Sequence, residues 1–357
     1  MRARSNRLAA PGAHRHTTSQ EGRVLSADAD VIEVRDLTKR YGELVAVDAI
    51  SFAVERGEVF GILGPNGAGK TTTLEMVEGL RRPDDGNIVV DGLTVWPTPK
   101  QVKRRIGVQL QATALFDYQK VHEIIYLFGS CYGIYRSKPE CVALLERVGL
   151  SDKAEVYVNQ LSGGQAQRLS IALALVNDPV VTFLDEPTTG LDPRARRALW
   201  DVIKDINRAG TTVVLTSHYM EEAERLCDRV AVMDLGHIVA LDTPRALINS
   251  LGAEATITFT VDRDAPADLF CGLAGVYACH DHEPGYAVVA TDAQQAVVSL
   301  LDLARREDLR VENLDVQGAN LEEVFLALTG HKLGEDEAQA AENGQPRKRR
   351  GLFGRGR

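Results

Sequence analysis

Gly64-Pro65-Asn66-Gly67-Ala68-Gly69-Lys70-Thr71 fits the phosphate-loop pattern G-x-x-x-x-G-K-[ST] at every fixed position. The run Glu58-Val59-Phe60-Gly61-Ile62-Leu63 before it reads as a buried strand, and residues 71–80, from Thr71 and Thr72 onward, read as a helix. Glycines let the backbone curl so that successive N–H groups point into one concavity, and the helix N-terminus adds partial positive charge. Lys70 is placed to reach the β- and γ-phosphates, and the Thr71 hydroxyl to hold Mg²⁺. A chance glycine turn before a helix is the bland alternative, and the register between strand and helix argues against it. The stretch implies binding of a nucleoside triphosphate.

The chain of 357 residues has room for about two domains, and its composition is that of a water-soluble globular protein. The net charge of −9 is unevenly spread. Residues 1–20 carry Arg2, Arg4, Arg7 and Arg15 with no acid, and residues 346–357 carry six basic residues with no acid. The body between is therefore more acidic than the net charge suggests, which argues against nucleic acid as a partner. Residues 1–29 read as a disordered basic extension and 331–357 as a disordered tail, basic at its end. The five cysteines are odd in number and include no C-x-x-C pair, so neither a disulfide framework nor a zinc site is expected. No apolar run reaches the roughly 18–20 residues of a membrane span, so a cytoplasmic chain is expected.

Working outward, residues 31–37 and 46–54 read as strands. Tyr41, near the end of the first, could stack on a purine base, although a Tyr in such a place is more often a packing residue. Arg105-Ile106-Gly107-Val108-Gln109-Leu110-Gln111 reads as a buried strand ending in an amide. Residues 116–175 are helix-rich and suggest an inserted subdomain. Within them, Leu161-Ser162-Gly163-Gly164-Gln165 precedes a helical run and resembles a second anion site, with a plain Ser N-cap as the alternative. One chain already has a phosphate loop, so a second such loop suggests two copies apposed head to tail. Val180-Val181-Thr182-Phe183-Leu184-Asp185 is an apolar strand ending in a carboxylate, the place for a Mg²⁺ partner. Glu186 follows, placed to deprotonate an attacking water. Residues 211–216 form another buried strand, and His218 just beyond it is a candidate γ-phosphate sensor.

Tyr41, the loop 64–71, Gln111, Leu161 to Gln165, Leu184-Asp185-Glu186, Asp192 and His218, in this order, resemble the ATP-binding-cassette (ABC) ATPases. The fold this implies is α/β: a P-loop NTPase with a RecA-like core, an antiparallel β subdomain and an inserted helical signature subdomain at about 112–176, together spanning 30–248. The resemblance implies that Tyr41 stacks adenine. It also implies that Gly64, Pro65, Asn66, Gly67, Ala68, Gly69, Lys70, Thr71 and Thr72 bind ATP. Thr71, Gln111 and Asp185 would hold Mg²⁺, with Glu186 as base and His218 and Gln111 assisting. Ser162, Gly163, Gly164 and Gln165 would face the nucleotide of an opposing subunit, which Asp192 would also contact. Two departures stand out: Ala166 replaces the family's usual basic residue or Gln, and Gln109 competes with Gln111 for the amide position.

Residues 253–330 read as a small α+β unit in the order β-α-β-β-α-β, ferredoxin-like, closed by a helix at 320–330. A terminal Leu-Glu-Glu-Val-Phe-Leu helix after such a unit is similar to the ATP-binding subunits of type-2 ABC exporters, including drug-resistance pumps. That likeness implies a homodimer serving a separately encoded integral-membrane permease at the cytoplasmic face of the membrane. An importer ATPase, or a soluble cassette acting on ribosomes or DNA, is the alternative. The single cassette and the missing coiled coil argue against the soluble readings, and the C-terminal unit against the importer.

Overall fold

A computed structural model describes residues 30–109, 118–250, 255–263, 265–282 and 284–329. Strands β1 (Asp30–Tyr41) and β2 (Leu44–Glu55) pair antiparallel, and β3 (Val59–Leu63) runs into the phosphate loop. Helix α1 (Lys70–Val77) leaves the loop, β4 (Asp85–Val90) returns beside β1, and β5 (Leu93–Thr94) and α2 (Pro99–Val102) lead to β6 (Ile106–Gln109). The helical segment comprises α3 (Val121–Cys131), α4 (Lys138–Glu146) and α5 (Gly163–Ala174). The chain then returns through β7 (Val181–Asp185), α6 (Pro193–Arg208), β8 (Thr212–Ser217), α7 (Met220–Leu226) and β9 (Arg229–Asp234), followed by β10 (His237–Asp242) and α8 (Pro244–Ser250).

The main sheet has the order β10-β9-β3-β8-β7-β6, with β10 its single antiparallel strand. Every residue of β3, β7 and β8 is buried, as expected for parallel strands covered on both faces. One face packs Leu63, Leu184 and Leu215 against the helices. The other packs Phe60, Ile62 and Phe183 onto the antiparallel sheet β2-β1-β4-β5, where Phe52 stacks on Phe60 at 5.5 Å between ring centroids. Gly107 shows how tightly β6 meets the end of α5, because a Cβ there would fall 1.8 Å from the Ala174 carbonyl oxygen. This is the cassette architecture expected from the sequence. Residues 110–117, including Gln111, lie outside the described residues.

The C-terminal unit contains β11 (Ala255–Val261), α9 (Asp268–Cys271), β12 (Val276–His282), β13 (Gly285–Ala290), α10 (Ala293–Arg306) and β14 (Val311–Gly318). Its antiparallel sheet runs β12-β13-β11-β14 over a core of Ile257, Phe259, Phe270, Val288 and Leu300. The β-α-β-β-α-β order matches the sequence reading, with α9 shorter than expected. Two expectations need correction. The closing helix, α11 (Leu321–Thr329), buries Leu321, Val324 and Phe325 in the ATPase core, beside Leu226 of α7 and Leu247 of α8, and not in the C-terminal core. Its amphipathic pattern specifies that a face is buried but not which surface buries it. In addition, Cys271 and Cys279 are paired as a disulfide, with Cα atoms 5.2 Å apart, although no disulfide was expected.

Because Phe325 is fully buried in the ATPase core, Phe325→Ala should cost about 3–5 kcal/mol. Calorimetry should show the melting of the ATPase core itself lowered. A shift confined to a separate C-terminal transition would contradict the packing.

Candidate active site

The loop between β3 and α1 is shaped by Gly64, Gly67 and Gly69, with φ of 149°, 89° and 102°. At Gly64 a Cβ would meet the Met233 carbonyl oxygen at 2.2 Å, so the turn leaves no room for another residue. Lys70, in the first turn of α1, is buried and donates from Nζ to the Gly64 and Pro65 carbonyl oxygens at 2.8 and 3.0 Å. Its Nζ also stands 3.8 Å from Glu186 Oε1. Burial pushes the Lys70 ammonium below its usual pKa, while Glu186 and Asp185 pull it back up.

Parallel pairing of β7 with β8 sets Asp185 opposite Thr216. The Thr216 hydroxyl donates to Asp185 Oδ1 at 2.6 Å and accepts from the Glu186 N–H at 2.9 Å, so one side chain fixes both acids. The Thr71 hydroxyl approaches both Asp185 oxygens at 3.3 Å, joining α1 to the end of β7. Burial raises the Asp185 pKa, and the neighbouring Glu186 adds to it, against the threonine hydroxyls and Lys70. Glu186 occupies the left-handed region at φ 45°, a backbone state that costs a non-glycine residue on the order of 1–3 kcal/mol and that clusters at functional sites. Its carboxylate receives the Thr189 hydroxyl at 3.2 Å and lies 3.4 Å from His218 Nδ1. The His218 imidazole, followed by Lys70 and Thr189, holds the Glu186 pKa below the usual carboxylate range, against burial. The turn that carries His218 is itself braced. Glu222 in α7 accepts from Ser217 Oγ at 2.6 Å and from Trp200 Nε1 at 3.1 Å.

Of the residues singled out in the sequence, Lys70, Thr71, Asp185, Glu186 and His218 thus converge. Ser162, Gly163, Gly164, Gln165 and Asp192 form a second group. Ser162 caps α5, its Oγ accepting from Gln165 N–H at 3.4 Å while Gln165 Oε1 accepts from Ser162 N–H at 2.9 Å. Asp192 caps α6 by accepting from the Arg194 and Ala195 amides at 2.9 and 2.8 Å. A Cβ on Gly164 would lie 3.1 Å from that of Ala195, so the two helix starts adjoin. Tyr41 stands exposed at the end of β1, with the Arg81 guanidinium 5.4 Å and Lys39 Nζ 5.7 Å from its ring centroid. Thr216, Thr189 and Glu222 escaped the sequence reading. Thr216, a polar residue directly after the apolar run Val213 to Leu215 of a buried strand, was the signal available.

Comparison with known proteins agrees with this geometry. The ABC transporter family model matches residues 47–189. The linearmycin resistance ATP-binding protein LnrL of Bacillus subtilis (strain 168) is 38% identical over 85% of this chain and 99% of its own length. The daunorubicin resistance ATP-binding protein DrrA2 of Streptomyces coeruleorubidus is 36% identical over 88% and 99%. A Nod factor export ATP-binding protein I, from Ralstonia nicotianae, is 39% identical over 85% and 95%. Among solved structures, cbiO1 from Clostridium perfringens, part of the ABC transporter complex cbiONQ, matches with a TM-score of 0.58 at 27% identity, over 62% of this chain and 92% of that one. A dimeric ATP-binding cassette, MJ0796, bound to ADP and Pi, matches at 0.54 and 26%, over 59% and 98%. With a phosphate loop facing the Asp185-Glu186 strand end and near end-to-end likeness to these subunits, the chain belongs to the ABC transporter family as one of its ATP-hydrolysing subunits.

Proposed function

We propose that the chain energises export through a separately encoded integral-membrane permease, working as a head-to-tail homodimer at the cytoplasmic face of the membrane. The cargo class is a drug, antibiotic, lipid or polysaccharide-type molecule. The observation that carries the reading is the extent of the likeness to LnrL. Its 309 aligned residues exceed the cassette alone, so the likeness extends into the C-terminal unit. Among the described residues no helix is long and apolar enough to cross a membrane, which agrees with a separate permease. Tyr118, Tyr126 and Tyr135 are exposed on the helical segment and offer aromatic surface for a permease helix.

In this reading Tyr41 stacks on adenine, and the loop amides, Lys70 and Thr72 hold the phosphates. Thr71 and Asp185 bring hard oxygen donors within 3.3 Å of each other, a set that suits Mg²⁺; the family resemblance gives Gln111, outside the described residues, the same role. Bound there, the ion supplies charge neutralisation at the phosphates. Glu186 orients a water and takes its proton as the water oxygen bonds to the γ-phosphorus and the bond to the ADP oxygen breaks. His218 keeps the Glu186 carboxylate ionised and aimed. Ser162 and Gly163 are exposed in the single chain, and Ser162 to Gln165 would close over the nucleotide of a second copy, with Asp192 beside them.

Glu186→Gln should lower kcat by about 10²–10⁴-fold while ATP binding persists, and ATP should then drive the protein to a dimer in size-exclusion chromatography. Full hydrolysis in that variant would remove Glu186 from the role of base. The His218→Ala change removes the group that lowers the Glu186 pKa, so the acid limb of the pH–kcat profile should move to higher pH. An unmoved limb would show that the two do not interact in catalysis. Affinity capture of Glu186→Gln from detergent-solubilised membranes with ATP should recover one polytopic membrane protein. Recovery of ribosomal subunits or DNA-bound proteins would overturn the export reading.

A further inference from the structure

Glu222 of α7 is fully buried, and its carboxylate joins three elements. Its Oε1 accepts from Trp200 Nε1 of α6 at 3.1 Å, and its Oε2 from the Ser217 hydroxyl at the end of β8 at 2.6 Å. The Ser217 oxygen in turn accepts the Tyr219 N–H at 2.9 Å, so the residues on both sides of His218 are tied to one carboxylate. Burial raises the Glu222 pKa, and Ser217, Thr188, Trp200 and the Arg196 guanidinium oppose it. A carboxylate in an apolar core is costly unless it is hydrogen-bonded. What this one adds is geometry: two acceptor oxygens, each fixed by a donor from a different element.

A second tie runs through rings. The Arg196 guanidinium of α6 lies 4.3 Å from the Tyr219 ring centroid, and that centroid lies 4.1 Å from the centroid of the His218 imidazole. Arg196 and Trp200 are four residues apart and so share one face of α6. The same helix starts at Asp192, where Ala195 adjoins Gly164 of α5. His218 Nδ1 stands 3.4 Å from Glu186 Oε1, near the outer limit of a hydrogen bond, so a small displacement of the turn decides whether the two meet. A misplacement of about 1 Å can cost on the order of 10²-fold in rate. We propose that Glu222 is a positioning residue for ATP hydrolysis: it clamps the His218 turn to α6, so that the aim of His218 at Glu186 follows the helix whose start faces the second copy in the proposed dimer. The inference rests on the reading of His218 as the partner of Glu186.

Single-turnover ATP hydrolysis by the full chain in excess, which resolves slow variants, should be measured together with the affinity for a fluorescent ATP analogue. Glu222→Ala should slow hydrolysis at least tenfold while nucleotide affinity changes less than twofold. In a His218→Ala background it should slow hydrolysis less than twofold further, because the two changes remove the same contact. Glu222→Gln, which still accepts from Trp200 and can donate to Ser217, should return to within threefold of the unaltered rate. Trp200→Phe, which removes the α6 donor alone, should slow hydrolysis at least threefold, and it takes the place of Glu222→Ala in the double variant if Glu222→Ala fails to fold. Full activity in Glu222→Ala, losses that multiply in the double variant, or no recovery in Glu222→Gln would overturn the positioning role. An unchanged rate in Trp200→Phe would overturn the dependence on α6. A full rate in His218→Ala would remove the reading of His218 itself, and the proposal with it.

Discussion

A carboxylate kept out of water at the end of β7 is the constraint from which the active site follows. Asp185 is buried, and what makes that burial tolerable is two hydroxyls from different elements, Thr216 in β8 and Thr71 in α1. The Thr216 contact depends on the parallel register that sets the two residues opposite each other. A slip of one residue would turn Asp185 to the other face of the sheet and leave a charged group in an apolar layer. The Thr71 contact in turn ties the first turn of α1, and with it Lys70, to the strand that carries Glu186. Sheet register, loop shape and acid placement are one solution to a single electrostatic problem.

That economy explains what could be seen in the sequence. A phosphate loop between an apolar run and a helix is legible because each glycine has a steric reason to be there, and the structure shows the reason at Gly64. Strands that end in Asp185, or just before His218, are legible because polar residues are conspicuous at the edge of an apolar run. Thr216 was hidden because a β-branched residue in a buried strand also serves as filler. The start signals of α6, Asp192 and Pro193, are less visible because they sit in a stretch, Thr188 to Pro193, that also reads as a turn. The cysteine pair was hidden for a different reason: spacing of this kind carries no signal until β12 brings the two residues together.

The second group of residues, proposed to face a second copy of the chain, is satisfied within its own chain. Ser162 and Gln165 satisfy each other's backbone, and Asp192 satisfies two amides of its own helix, so within one chain these groups have no outstanding demand. Their local bonds pre-shape two adjoining helix starts at low entropic cost, leaving a rigid surface that can meet a partner without first having to fold.

The return of α11 to the ATPase core has a consequence for biosynthesis. Phe325 belongs to the hydrophobic cluster that contains Leu63 at the mouth of the phosphate loop, although the intervening C-terminal sheet has a core of its own. A nascent chain that has emerged only as far as α8 therefore displays an apolar groove along α7 and α8 that nothing yet fills. The nucleotide-binding half of the molecule is translated first and sealed last, which ties its maturation to faithful completion of the whole message.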